Sequence, residues 1–261
     1  MPILAKPLPK MQVDALPVEI YPTNEALGAA AAAAAGEILR RAVDQRGSAN
    51  LIVATGNSQL TFLAALRQDP TVPWPQINVF HMDEYVGLDP QHPAGFANFL
   101  HHHLLGHVSP KAFFPVPGGV PDLPEACRTY EALLRAHPAD LCALGIGENG
   151  HLAFNDPPLA DFNDPVWVKV VTLAEASRRQ QVGEGHFAHL DEVPAQAITL
   201  TLTALLAARQ ILAIVPEARK AQAVDRALRG PIQPGCPASI LRRAPHARLF
   251  LDRASAALIY P

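Results

Sequence analysis

The chain has 261 residues, 49% of them hydrophobic and 17% charged, enough to bury a substantial core as one large α/β domain. A formal net charge of -3 and a pI near 6.4 exclude a general polyanion-binding surface, which draws on clustered Lys and Arg, but leave room for a local phosphate pocket. Cys127, Cys142 and Cys236 form no CxxC pair and leave one over in any disulfide scheme, which fits a reducing cytoplasm.

Pro2, Pro7, Pro9 and Pro17 interrupt the N-terminal segment before it reaches signal-peptide length. The apolar stretch 26–39 is too short, and too flanked by charge at Glu25, Arg40 and Arg41, to span a bilayer. A strand over 18–21 is followed by a helix over about 24–44, opening at Asn24, a good cap residue. A buried strand at 51–54 runs into Thr55-Gly56-Asn57-Ser58, and a second helix begins at Leu60. The next strand, 77–80, leads into His81-Met82-Asp83-Glu84-Tyr85, with a helix near 96–105 beyond it. A short apolar strand at 141–144 ends in Gly145-Ile146-Gly147, and later strands are expected at 167–173, 197–200, 210–215 and 248–251. A helix over 217–228 stops before Gly230. Short strands alternating with longer helical patterns predict an α/β fold with a mostly parallel sheet covered by helices, in a single domain over 1–261.

In such sheets ligands bind beyond the carboxyl ends of the strands, and three polar clusters stand there. Thr55-Gly56-Asn57-Ser58 offers backbone N–H groups and two hydroxyls at a helix start, a cradle for phosphate, although a plain strand-to-helix turn has the same composition. Asp83 and Glu84 follow an apolar strand directly; neighbouring side chains diverge there, so one of the two faces a substrate, or an Asp merely caps a loop. Gly145-Ile146-Gly147-Glu148-Asn149-Gly150-His151, followed by Phe154-Asn155-Asp156-Pro157, joins glycines that permit close approach to an imidazole, with Asp156 or Glu148 available to orient its ring. His101-His102-His103 lies in a helix, where consecutive side chains point about 100° apart and chelate one ion poorly. The pairs Arg40-Arg41, Arg178-Arg179 and Arg242-Arg243 read as solvated surface, with one of the later two a candidate for reaching a phosphate. The 157–165 segment, with Pro157, Pro158, Asn163 and Pro165, is a candidate lid.

With these residues in view, the chain resembles the glucosamine-6-phosphate deaminase family, related to the 6-phosphogluconolactonases, over nearly its whole length. The matching segments are Ala54-Thr55-Gly56-Asn57-Ser58, Met82-Asp83-Glu84-Tyr85-Val86-Gly87-Leu88 with His92-Pro93, the run from Gly145 through His151 to Asn155, and Arg219-Lys220-Ala221. The resemblance implies a Rossmann-like fold with helices on both faces of the sheet, and a phosphate held by Thr55, Gly56, Asn57, Ser58 and Lys220. It implies Asp83 as the base moving a proton between C2 and C1 of an opened amino sugar. His151 would then handle the ring-oxygen proton, supported by Asn149, Asp156 and Glu148, with ammonia lost and fructose 6-phosphate formed. The scheme calls for no metal and no organic cofactor; the expected partner is a small sugar phosphate, with no nucleic acid and no membrane, and a homo-oligomer is compatible with it. The chain departs from the family pattern at Asp156, where Glu is common, and at Gly185-His186-Phe187, where a phosphate-binding arginine is expected. A 6-phosphogluconolactonase, an enzyme for another amino-sugar or sugar phosphate, and a non-catalytic sugar-phosphate sensor are the competing readings.

Overall fold

The computed structural model describes residues 7, 8 and 10–260; Pro2 and Pro9 of the proline-interrupted N-terminal segment lie outside them. The chain opens with a hairpin of β1 (Met11–Val13) and β2 (Leu16–Tyr21), then α1 (Asn24–Arg46), β3 (Ala49–Val53) and α2 (Leu60–Gln68). It continues through β4 (Ile77–His81), β5 (Asp83–Tyr85), α3 (Phe96–His103), β6 (Ala112–Phe114), α4 (Leu123–Ala136) and β7 (Leu141–Leu144). The last third comprises β8 (Val168–Thr172), α5 (Glu175–Gly183), β9 (Gln196–Leu200), α6 (Leu202–Leu206), β10 (Ile211–Val215), α7 (Ala221–Arg229) and β11 (Ala247–Asp252).

An eight-stranded sheet has the order β1-β2-β11-β10-β7-β3-β4-β6, parallel throughout except for the opening hairpin. Side chains alternate across it, and the two faces build two apolar cores. Leu51, Val53, Val79 and Ile214 face one way, against Leu27, Ala31 and Leu39 of α1 and Phe62 and Leu66 of α2. Ile52, Phe80, Leu144 and Ala213 face the other, against Tyr130 and Leu134 of α4 and Val224 and Leu228 of α7. Both faces are thus covered by helices, and the strands read as continuous apolar runs for that reason.

Three sequence expectations are corrected. The cap of α1 is Thr23, whose Oγ1 accepts from the Ala26 N–H at 3.2 Å, whereas Asn24 is already helical and its Oδ1 accepts from the Thr61 hydroxyl at 2.7 Å, tying α1 to α2. The strands expected at 167–173 and 197–200 lie outside the main sheet: β8 and β9 pair antiparallel with β5 in a separate three-stranded sheet. Their apolar character serves contacts with Phe154, Phe96 and Tyr85 as well as the main core, so hydrophobicity alone gave no hint of the division. The helix expected over 217–228 opens with a single 3₁₀ turn at Ala218–Lys220 before α7.

At the centre of the main sheet β3 leads away toward β4 and β6, while β7 lies on its other side, next to β10. Loops leaving the carboxyl ends of β3 and β7 therefore part in opposite directions and open a crevice.

Candidate active site

The crevice is a solvent-open cavity, and four of its walls come from strand ends. The turn after β3 supplies Thr55, Gly56 and Ser58; the residues after β4 supply Met82 and Asp83; the loop after β7 supplies Gly145, Gly147, His151, Ala153 and Phe154; and the turn after β10 supplies Lys220. A fifth wall, Gln180, Gln181 and Glu184, comes from α5 and the residue that caps it.

Asp83 and Glu84 point apart, as successive strand residues must. Glu84 turns away from the cavity and caps α3: its carboxylate accepts from the N–H groups of Phe96 and Ala97 at 3.1 and 2.9 Å, replacing the side-chain cap that Gly95 cannot give. Asp83 faces the cavity, 7% exposed, and accepts no hydrogen bond from any described residue. Burial, with the neighbouring Glu84 charge adding to it, pushes its carboxyl up to about 8. A carboxylate so placed is basic enough to take a proton from carbon.

His151 is held from one side only. Its Nδ1 lies 3.2 Å from both Asp156 Oδ1 and Ser177 Oγ, so the Nδ1–H is shared between them and Nε2 keeps its lone pair. Asp156 in turn accepts from the Ser177 hydroxyl at 2.5 Å and the Asn149 amide at 2.9 Å, while Asn149 Oδ1 accepts from the His151 N–H. Burial opposes the charge on Asp156, but the bonds from His151, Ser177 and Asn149 outweigh it and hold the carboxyl at about 2. The ring lies flat against Gly147: a Cβ there would stand 2.2–2.4 Å from three ring atoms, so only glycine fits.

Lys220 is 2% exposed, lines the cavity, and has no carboxylate within ion-pair distance among the described residues. Burial lowers its ammonium pKa, partly offset by the charge of Glu184. It follows Glu217, a non-glycine residue at φ 81°, whose N–H is held by the buried Asp252 carboxylate at 3.1–3.2 Å. That strained turn aims the 3₁₀ segment and its lysine back over the strand ends.

Residues 22–250 match the family of Glucosamine-6-phosphate isomerases/6-phosphogluconolactonase. The chain belongs to this family. It is 33% identical over 222 residues to the glucosamine-6-phosphate deaminases of Bacillus thuringiensis and Bacillus anthracis, covering 85% of this chain and 82% of each relative. A solved monomeric glucosamine-6-phosphate deaminase superposes with TM-score 0.85 at 29% identity, over 95% of this chain and all of that one. A 6-phosphogluconolactonase from Shewanella baltica superposes with TM-score 0.72 over 93% of this chain and 97% of its own, but at 19% identity the likeness concerns the fold.

In this family member the structure sorts the sequence candidates. Thr55, Gly56, Ser58, Asp83, His151 and Lys220 converge on one cavity. Asn149 and Asp156 act behind His151 rather than on the cavity wall. The shorter Asp156 side chain reaches the ring directly, at 3.2 Å, and Ser177 joins both groups at the same corner. Glu148 is displaced from the expected role: its carboxylate pairs with Arg219 at 3.2 Å and faces outward, because the tight turn at Gly147 and Gly150 sends alternate side chains away from His151. The Asn57 side chain turns to α5's end instead of the cavity, its amide donating to the Glu184 carbonyl at 3.1 Å. Neither later arginine pair lines the cavity: Arg178 donates to the carbonyls of Leu190 and Val193, Arg179 pairs with Glu175, and Arg242 pairs with Asp14. The 157–165 segment contributes no lining residue; α5 covers the cavity instead. Sequence reading missed Ser177, Gln180, Gln181 and Glu184, since nothing in a polar amphipathic helix marks which of its residues turn toward a site 26 or more positions away. Among the described residues, no group of three or more His, Cys, Asp or Glu is placed to hold a metal ion, and no helix is long and apolar enough to cross a membrane.

Proposed function

We propose that the protein is a glucosamine-6-phosphate deaminase, converting glucosamine 6-phosphate and water to fructose 6-phosphate and ammonia. The observation that carries this reading is a buried, unpartnered carboxylate, Asp83, sharing a cavity with an imidazole whose far nitrogen is already engaged, His151. The substrate phosphate rests on the Thr55 to Ser58 turn and Lys220. His151 Nε2 takes the proton of the C1 hydroxyl and passes it to the ring oxygen, and the sugar opens to the aldehyde. Asp83 then takes the C2 proton, the electron pair passes to the C1 oxygen, which gains a proton from the substrate's own ammonium, and an enolamine forms. Return of the proton to C1 leaves an iminium at C2; water adds there and ammonia departs, leaving the ketose. Each positioned acid or base in such a sequence contributes on the order of 10²–10⁴-fold to rate.

Similarity to deaminases at 33% identity, against 19% for the lactonase, favours this reaction over lactone hydrolysis at the same site. The test is a parallel assay of the purified protein with glucosamine 6-phosphate and 6-phosphogluconolactone. Ammonia and fructose 6-phosphate in equal amounts are expected from the first; acid release from the second alone would transfer the protein to the lactonases.

A further inference from the structure

The phosphate end of the cavity is already occupied by charge. Glu184 has a side chain only 4% exposed, lines the cavity, and comes within 3.8 Å of where a Cβ on Gly56 would stand, beside the turn that the proposed function gives to phosphate. Its carboxylate pairs with Arg219 at 2.8 Å and His186 at 3.4 Å and accepts from the Gln180 amide at 2.8 Å. Burial opposes its ionisation, but His186, Arg219 and Lys220 outweigh it and hold the carboxyl at about 2, so it is charged at neutral pH.

Arg219 is bound on three sides, to Glu184, to Glu148 at 3.2 Å and to Glu217 at 2.5 Å. Two fixed cations, Arg219 and Lys220, thus face three carboxylates. A phosphate dianion entering beside Glu184 as it stands would meet three carboxylates and an Arg219 guanidinium already taken, with only the Lys220 ammonium unpaired among the described residues. Resting on the phosphate-site reading above, we propose that Glu184 is a built-in competitor of the substrate phosphate, and that binding exchanges the Glu184 carboxylate for phosphate on the Arg219 guanidinium, beside the Lys220 ammonium. Arg219, adjacent to Lys220 and freed from Glu184, then supplies the guanidinium that residues 185–187 lack. An unphosphorylated sugar has no anion to offer in the exchange, so Glu184 acts as a specificity filter for the phosphate.

The exchange also loosens the wall of the cavity. The turn at 184–186 is held by backbone bonds from Glu184 to Gln180, Gly185 to Val182 and His186 to Gln181, and by two bonds across the cavity mouth, Glu184 to Arg219 and the Glu184 carbonyl to Asn57. Breaking the Arg219 bond removes one of those two crossings.

Titration calorimetry of the full chain with inorganic phosphate tests the proposal in three arms. Wild type binds phosphate and Lys220→Met does not, which establishes the site; equal heats in both overturn the phosphate-site reading, and the exchange with it. Glu184→Gln is expected to bind phosphate about tenfold more tightly than wild type, from removal of one nearby like charge. Equal or weaker binding by Glu184→Gln, where wild type binds through Lys220, overturns the exchange alone. On the wild-type protein, hydrogen exchange at the amides of Glu184, Gly185 and His186 should quicken when phosphate is added; unchanged or slower exchange overturns it independently of any variant.

Discussion

In the proposed reaction Asp83 carries the proton chemistry, and its environment sets when it can. With its carboxyl pushed up to about 8 by burial, the base is mostly protonated at neutral pH in the free enzyme, so kcat/KM should rise with pH through that region. Asp83→Asn should lower turnover on the order of 10³-fold while phosphate binding persists, because the base is lost and the cradle is not. A variant that loses phosphate binding as well would make Asp83 structural. Gly147 is the residue on which His151 leans, and Gly147→Ala should push the ring off its position by more than the side chain can absorb. Turnover is expected to fall on the order of 10²-fold with little change in thermal stability, read from paired kinetics and melting curves.

Between elements, α1 and α2 pack closely where they cross. A Cβ on Gly28 would come within 2.7 Å of the Thr61 carbonyl carbon and hydroxyl, and the backbone there cannot yield without parting the helices. Helix propensity alone would have Gly28→Ala gain about 1 kcal/mol, whereas the packing argues for a loss of about 1–3 kcal/mol. The sign of the change in a urea titration decides between the two. The Asn24–Thr61 hydrogen bond spans the same crossing, so α1 and α2 should respond as one unit.

For the whole molecule, the site is a trade of stability for function that pH exposes. Asp83 has a folded pKa raised from 3.8 to about 8, so its contribution is fully present below about pH 4 and is lost as pH rises through 8. Asp156 and Glu184 are lowered to about 2, so theirs is present above their ordinary values and is lost as pH falls through 2. Asp83→Asn, which removes the ionisation, should match wild type in unfolding free energy near pH 4 and exceed it by a few kcal/mol near pH 9. A gap that stays flat across that range, or runs the other way, would mean that Asp83 ionises without penalty in the folded chain.

The sequence by itself determined the strand-to-helix alternation, the parallel sheet and the loops that carry chemistry. Each of these is local: runs such as Leu51-Ile52-Val53 must be buried on both faces, and the glycines around His151 matter for the turn they permit. Tertiary structure alone decided that Glu84 caps α3 while Asp83 faces the cavity, that Ser177 completes the His151 support, and that Glu148 pairs with Arg219 away from it. It also decided that β5, β8 and β9 leave the main sheet, and that α5 rather than 157–165 walls the cavity. These outcomes depend on where a side chain points once distant segments meet, as with Asp156 and Ser177, 21 positions apart and 2.5 Å from one another. Residue type and spacing hold no record of that meeting, because it is fixed by the packing of whole elements against the sheet.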